Sequence, residues 1–212
     1  MFKYKKIVVF FIIGVLLIGS GIIYTILSAT ETNVQVESTP NIKNTVKKVQ
    51  QVEVNNKELN EQIKSLISGY LNAKLKDDIS GMDNYVSDLT RVDENKLLTQ
   101  NQYIEAYNNI KCTIKKLKKK NTYRVYAYYD IKAFDVQQGL PSLSAYYVVK
   151  EKDGNYKIYF GKIKSNVQRQ IENMDKSSEI IALKDSVQKR MNELISTDEE
   201  VRTLMDRLKN GE

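Results

Sequence analysis

The stretch that decides the fold runs from residue 123 to residue 161 and reads YRVYAYYDIKAFDVQQGLPSLSAYYVVKEKDGNYKIYFG. Its first part alternates with a period of two, which predicts a long β-strand with two different faces. The pair Asp153-Gly154 is a strong signal for a tight hairpin. Upstream, Ile110, Cys112 and Ile114 also alternate, and the residues 118–121 predict a turn. We therefore expect an antiparallel meander of about four strands, with a loop around Gly139 and Pro141 before the third strand.

Helical patterns flank this meander on both sides. Apolar residues spaced by three and four from Leu59 to Leu75 predict an amphipathic helix of about five turns. A shorter helix follows from Ile79 to Leu89, and residues 101–107 suggest a further helical turn. After the sheet, the apolar spacing predicts a helix over 167–174, another beginning at Ser177-Ser178, and a last one capped by Ser196-Thr197-Asp198. Thr197 and Glu200 fit a capping box at the start of this last helix. Helices, then a meander, then helices indicate an α+β fold.

The N-terminus carries the strongest functional signal. Residues 1–6 include Lys3, Lys5 and Lys6, and the run from Ile7 to Leu27 contains no charged residue. A helix of about 20 apolar residues spans a bilayer, so we predict a transmembrane helix over residues 7–28. A cleaved signal peptide is the alternative, but its apolar core is shorter and it needs small residues near the cleavage site, where Leu27 stands. The basic flank predicts the N-terminus in the cytoplasm and the remainder outside.

Residues 29–56 are polar, contain Pro40 and lack aromatic residues, which is typical of a stalk.

The composition of the chain excludes many kinds of active site. The chain has no histidine and one cysteine, so the commonest general base and the multi-cysteine metal sites are absent. We expect no catalytic residue, no bound metal and no cofactor.

The order of segments resembles the NTF2-like (cystatin-like) α+β cone. More narrowly, the chain is similar to an uncharacterised family of single-pass extracytoplasmic proteins from low-GC Gram-positive bacteria. The segments that carry the resemblance are YLNAKL (70–75), YRVYAYYDIK (123–132), Gly139-Leu140, DGNYKIY (153–159) and TDEE (197–200). The resemblance implies an NTF2-like domain over 57–163, with helices packed on a curved sheet, and a C-terminal helical extension over 164–212. Two departures are Pro141, which follows Gly139-Leu140 here, and Asp130, where the family has a glutamate.

Three groups of residues are candidate sites outside the membrane. Tyrosines on a curved sheet can line a pocket with their polar tips, and a carboxylate on the same face invites comparison with isomerases. The alternative for that carboxylate is a surface position paired with Lys132. The candidate ligand pocket comprises Tyr126, Tyr128, Asp130 and Tyr147.

A run of cations near one hairpin is the second candidate, since it can attract an anionic partner such as phospholipid headgroups or wall teichoic acid. The alternative is a solvated turn whose lysines discourage edge pairing. The net charge is +7, of which three charges are the N-terminal lysines, and the domain is expected outside the cell, so nucleic acid is disfavoured. The candidate anionic-surface contact comprises Lys111, Lys115, Lys116, Lys118, Lys119, Lys120 and Arg124.

The third candidate is a partner loop at Leu140, Pro141 and Leu143, with a bulged edge crossing as the alternative. Cys112 is interpreted as a small buried hydrophobe rather than a reactive thiol. The C-terminal helices are expected either to pack on the sheet or to bind a partner.

These observations predict a membrane-anchored, extracytoplasmic, non-enzymatic binding or assembly module of the cell envelope. Its partners are expected to be the bilayer, through residues 7–28, and an envelope protein or a second copy of the chain; a small-molecule ligand is not identified. One alternative is a bitopic scaffold subunit of a conjugation or secretion machine. Another is a small-molecule-binding or lyase/isomerase NTF2-like domain, since this fold hosts several activities.

Overall fold

A computed structural model of the chain describes residues 57–210. The predicted basic N-terminus, transmembrane helix and stalk lie outside the described residues. Within 57–210, no helix combines the length and the apolar character needed to cross a membrane.

The described chain contains six α-helices, one 3-10 turn and four strands. The predicted amphipathic helix is confirmed as α1 (Lys57–Leu75), with an apolar stripe that is buried. The two helices after it are short, α2 (Ile79–Met82) and α3 (Glu94–Asn101), and a 3-10 turn at Leu89–Arg91 lies between them. The C-terminal helices are α4 (Ser165–Asp175), α5 (Ser178–Thr197) and α6 (Glu199–Asn210).

The sheet is the expected four-stranded antiparallel meander. Its strands are β1 (Ile104–Lys116), β2 (Thr122–Ala133), β3 (Leu140–Lys150) and β4 (Tyr156–Ile158), hydrogen-bonded in that order. A bulge interrupts β1 at Asn109, which adopts a positive φ of 55° that asparagine tolerates better than most residues. The hairpin at Asp153-Gly154 is also confirmed, and Gly154 takes a φ of 93° in it.

Both faces of the sheet are covered, by different helices. On the inner face, the buried stripe of α1 packs against Val125, Ala127 and Tyr129 of β2. The apolar residues of α6 belong to this same cluster. On the outer face, α4 packs near Tyr147 and α5 packs near Tyr126 and Leu143. The C-terminal helices therefore share one body with the sheet, since burying their apolar stripes against it is the main source of their stability.

The predicted helix from Ile79 to Leu89 is shorter than expected, since it ends at Met82 and Val86 forms a β-bridge with Ile158.

Three further local predictions are wrong. Residues 104–107 begin β1 rather than extend a helix, because Ile104 and Tyr107 join the inner core of the sheet. Pro141 lies inside β3, opposite Asp130, so the predicted loop there is shorter and ends at Gly139. Proline is tolerated there because β4 pairs only with residues 148–150, so this part of β3 lies at an edge of the sheet.

The third correction concerns the start of α6. The Asp198 carboxylate, not the Thr197 hydroxyl, accepts the hydrogen bond from the Val201 amide, at 3.0 Å. Thr197 donates instead to the Glu193 carbonyl of the preceding helix. Glu200 reaches across to the amide of Gln137, after β2, at 2.8 Å. Aspartate is as good an N-cap as threonine, so the sequence pattern alone did not distinguish them.

Candidate functional site

The outer face of the sheet carries a buried ion pair beneath α4. The guanidinium of Arg124 on β2 donates two hydrogen bonds to the carboxylate of Asp175 at the end of α4, at 3.0 and 2.7 Å. The Tyr126 hydroxyl donates to the same carboxylate at 2.5 Å. The side chain of Arg124 is only 3% exposed. A bidentate pair of this kind is strong and directional, so it holds α4 in one position on the sheet.

A second polar cluster lies further along β2, beneath α5. The buried Asp130 carboxylate accepts hydrogen bonds from the Tyr128 hydroxyl at 2.6 Å and from the Asn109 amide at 2.8 Å. Arg190 of α5 approaches the same carboxylate at 3.2 Å and also donates to the Tyr128 hydroxyl. The bulge in β1 is what directs the Asn109 side chain toward Asp130.

Space around this second cluster is tight. A Cβ atom added to Gly139 would meet the Asp130 Cβ at 3.0 Å. The alternative prediction, a surface Asp130 paired with Lys132, is wrong. The Lys132 ammonium donates to the Val136 carbonyl instead. Asp130 is therefore buried and paired with groups from β1, β2 and α5.

The four residues of the candidate pocket thus lie at a helix–sheet interface. Tyr126, Tyr128 and Asp130 take part in the two polar clusters. Tyr147 packs with α4 and stacks edge-on against Tyr159, with ring centroids 5.5 Å apart. Burial, with the neighbouring Asp130 carboxylate, raises the pKa of Tyr128 to about 12, so its hydroxyl stays protonated and donates. A ligand pocket at these residues stays a prediction.

The predicted cationic cluster separates into two sets with different surroundings. Arg124 and Lys115 are buried beneath the C-terminal helices, where Lys115 pairs with Glu179 at 2.8 Å. Lys111 is exposed and lies over the Tyr128 ring, 6.0 Å from its centroid. The other four lysines are exposed around the turn between β1 and β2, namely Lys116, Lys118, Lys119 and Lys120.

Two lysines that sequence reasoning missed adjoin this turn. The Lys150 amide donates to the Asn121 carbonyl, so the β3–β4 turn lies beside the β1–β2 turn. That brings Lys150 and the exposed Lys152 to the same end of the sheet. They are about 30 positions away along the chain, so only the antiparallel pairing reveals that they belong to this cationic surface.

The candidate partner loop is mostly strand. Leu140, Pro141 and Leu143 are all buried in β3, with Leu140 in the inner core and Leu143 beneath α5. A partner would have to displace packed elements to reach them. Three large apolar side chains are nevertheless exposed elsewhere, Leu98, Phe134 and Ile181.

Sequence reasoning also missed a tyrosine cluster in the inner core. Tyr107 and Tyr129 stack edge-on with centroids 5.4 Å apart, and Tyr70 packs against Tyr146 in the same way at 5.9 Å. The Tyr129 hydroxyl lies 2.8 Å from the Ser144 hydroxyl, whereas the buried Tyr107 hydroxyl has no partner. Burial raises the pKa of all four phenols, so they are neutral at physiological pH. The alternation of apolar residues is interrupted between Ile110 and Tyr107 by the bulge at Asn109, and residues 101–107 were predicted as a helical turn.

The remaining chemistry-bearing group is Cys112, which is half-buried in β1. Burial raises the pKa of its thiol to about 11, although nearby Lys64 acts in the opposite direction. A thiol of this kind is a poor nucleophile at neutral pH, in accordance with its interpretation as a packing residue. Among residues 57–210, no three acidic, cysteine or histidine side chains come together in a way that could hold a metal ion.

Comparison with known proteins identifies no relative of this chain: no family model, no curated protein and no solved structure matches it.

Proposed function

We propose that the chain is a membrane-anchored, extracytoplasmic binding or assembly module of the cell envelope that acts without catalysis. The observation that carries the proposal is the uncharged run from Ile7 to Leu27 behind three lysines, followed by a separate folded α+β body. A helix of that length anchors a protein in a bilayer, and the charge bias directs the body outside. Confinement to two dimensions then raises the effective concentration for weak partners.

The polar groups on the outer face support an assembly role. Asp175 and Arg190 engage the hydroxyls of Tyr126 and Tyr128, and the resulting contacts position α4 and α5. A rigid body with helices held in one orientation presents the same surface to every partner. The lysines at the end of the sheet remain exposed and available for contact.

The NTF2-like assignment is part of the same proposal. In its favour are a long helix on the inner face, the bulged β1 strand and the antiparallel meander. The C-terminal helices on the outer face are an addition to that pattern.

An isomerase or lyase is the competing proposal from a different class. It requires the Asp130 carboxylate to act as a base on a bound small molecule. Arg190 and two other donors already contact that carboxylate, which is itself buried, so little of its acceptor capacity is left for a substrate. We favour the binding module for this reason.

Crosslinking in native membranes tests the proposal. The tagged full-length chain is crosslinked, solubilised and purified, and the captured proteins are identified. Recovery of envelope-assembly proteins supports the module, and recovery of transfer or secretion subunits selects the scaffold version of it. Recovery of the chain alone, with release from the membrane by alkaline carbonate, contradicts both the anchor and the assembly role.

A further inference from the structure

The end of the sheet that carries two adjacent turns is strongly cationic. We call it the lysine end and define it by six residues on the β1–β2 and β3–β4 turns. A hydrogen bond from the Lys150 amide to the Asn121 carbonyl holds the two turns side by side, although they are far apart in the sequence. The lysine end comprises Lys116, Lys118, Lys119, Lys120, Lys150 and Lys152.

Few negative charges oppose these lysines. The two carboxylates in the same turns are Glu151 and Asp153. The Asp153 carboxylate accepts hydrogen bonds from the Asn155 amide and side chain, both at 2.9 Å, which hold it in its own turn but leave its charge. Six lysines less these two carboxylates leave a formal charge of +4 at this end of the sheet. Lys115 and Arg124, by contrast, are paired with acidic residues of the C-terminal helices and do not contribute to the surface.

Tyrosines adjoin the lysine end on the inner face. Tyr123 and Tyr156 pack edge-on with centroids 5.8 Å apart, and the Lys150 ammonium lies 5.1 Å from the centre of the Tyr156 ring. Tyr156 is half-buried, so part of its ring meets solvent. Lysines beside partly exposed tyrosines are typical of protein surfaces that meet lipid headgroups, where amphipathic rings and cations are both favoured.

We propose that the lysine end binds the anionic headgroups of the bilayer in which the chain's own N-terminal segment is anchored. The inference rests on the proposed anchor. Two adjacent turns, on which all the lysines except the half-buried Lys150 are exposed, fit an extended, negatively charged surface better than a single small ion. Each lysine near an anionic leaflet raises the bound population about fivefold, and the attraction decays within a Debye length of about 10 Å at 0.1 M salt.

The anchor makes such a weak contact effective. Because the domain cannot diffuse away from the bilayer, even a modest attraction shifts it from an upright to a docked orientation. The docked domain would present its opposite end, and the exposed faces of its C-terminal helices, to partners in the envelope.

The test measures how closely the lysine end approaches lipid in the full-length protein. The chain carries Cys112→Ala and Lys119→Cys, with a fluorophore on the new cysteine, and is reconstituted in vesicles that contain a headgroup-linked quencher. The vesicles are phosphatidylcholine alone, or phosphatidylcholine with phosphatidylglycerol. We expect several-fold stronger quenching in the anionic vesicles, and its loss as salt is raised from about 0.05 M to about 0.5 M.

Two sets of substitutions make the test specific. The first set should remove the lipid-dependent part of the quenching. It combines Lys118→Gln, Lys120→Gln, Lys150→Gln and Lys152→Gln. The control replaces four exposed lysines elsewhere, Lys76, Lys176, Lys189 and Lys209, with glutamine and should retain it. Thermal unfolding of both variants establishes that they are folded.

The outcomes distinguish this inference from the proposed function. Equal quenching in the two kinds of vesicle, or an equal loss in the control variant, overturns the inference alone. Binding of soluble polyphosphate without approach to anionic vesicles also overturns it, because the surface would then serve a soluble polyanion. Failure of the chain to integrate into vesicles overturns the anchor itself, whereas lipid-dependent quenching in a chain that captures no protein partner leaves the inference standing.

Discussion

Replacing Asp175 with asparagine should release α4 from the sheet at a measurable cost. The substitution keeps the shape of the side chain but removes its charge. In the unchanged chain, Arg124 and Tyr126 both donate to the carboxylate. In the variant, the asparagine NH₂ is itself a donor and cannot accept a hydrogen bond from either of them. The guanidinium of Arg124, which is 3% exposed, is then buried without a counter-charge.

The magnitude follows from that burial. Removing one partner of a buried ion pair costs about 3–5 kcal/mol. The side chain of Asp175 remains 26% exposed, so water relieves part of the penalty and the lower end of the range applies. We expect a loss of about 3 kcal/mol in the free energy of unfolding, which for a domain of this size is a fall of roughly 6–12 °C in Tm.

The assay is thermal and urea unfolding of the full-length chain in detergent. Asp185→Asn, on the exposed side of α5, is the matched control and should change the free energy of unfolding by no more than about 0.5 kcal/mol. A triple variant, Arg124→Met, Tyr126→Phe and Asp175→Leu, removes both charges together with the hydroxyl that would otherwise lose its acceptor, and should recover most of the stability. The reasoning is refuted if Asp175→Asn is as stable as the control.

Three further predictions concern single residues. Cys112 should react with a thiol reagent about 100-fold more slowly in the folded chain than in urea at pH 8, because burial raises its pKa from the ordinary value of 9.0 to about 11; equal rates would contradict its burial. Burial, with a smaller effect of Lys96, lowers the pKa of Lys74 to about 8, so between pH 8 and about 10 the unfolded chain binds the extra proton and the contribution of Lys74 to stability rises with pH. The raised pKa values of Cys112 and of the buried tyrosines act in the opposite direction at the upper end of this range, so the quantity to measure is the difference in stability between the chain and Lys74→Met. In urea titrations this difference should shrink as the pH rises from 8 to about 10, and a difference that stays constant would exclude the titration of Lys74. Asp198→Ala should destabilise α6 by about 1 kcal/mol, whereas Thr197→Ala should cost less, as measured by circular dichroism on heating. The reverse order would show that Thr197, and not Asp198, caps the helix.

The periodicity of the sequence was sufficient for the main elements. The stripe in α1 has one buried solution, because a rotation of the helix would expose its apolar side chains. Strand β2 is buried on both faces, and its alternation separates an apolar inner face from an outer face that carries polar groups. Prediction was poorer where two patterns overlap. Residues 104–107 could be helix or strand by their spacing, and only their packing on the inner face decides between the two.

The candidate sites depended on tertiary structure to a greater degree. Sequence alternation correctly assigned Tyr126, Tyr128 and Asp130 to one face of β2. It could not show that α4 and α5 return over that face, because Asp175 and Arg190 are 45 or more positions away and pair through space. The same holds for the tyrosines of the inner core, whose rings meet only when four elements pack together.

What the sequence determined by itself is the chain's local character: an uncharged N-terminal run, an amphipathic helix, a four-stranded meander and a helical tail. These follow from periodicity and charge, which act over a few residues. Only the tertiary structure decided which lysines are paired beneath the C-terminal helices and which are exposed at the lysine end. Strand pairing and helix docking bring distant residues together, and a buried cation requires a partner while an exposed one remains free to bind.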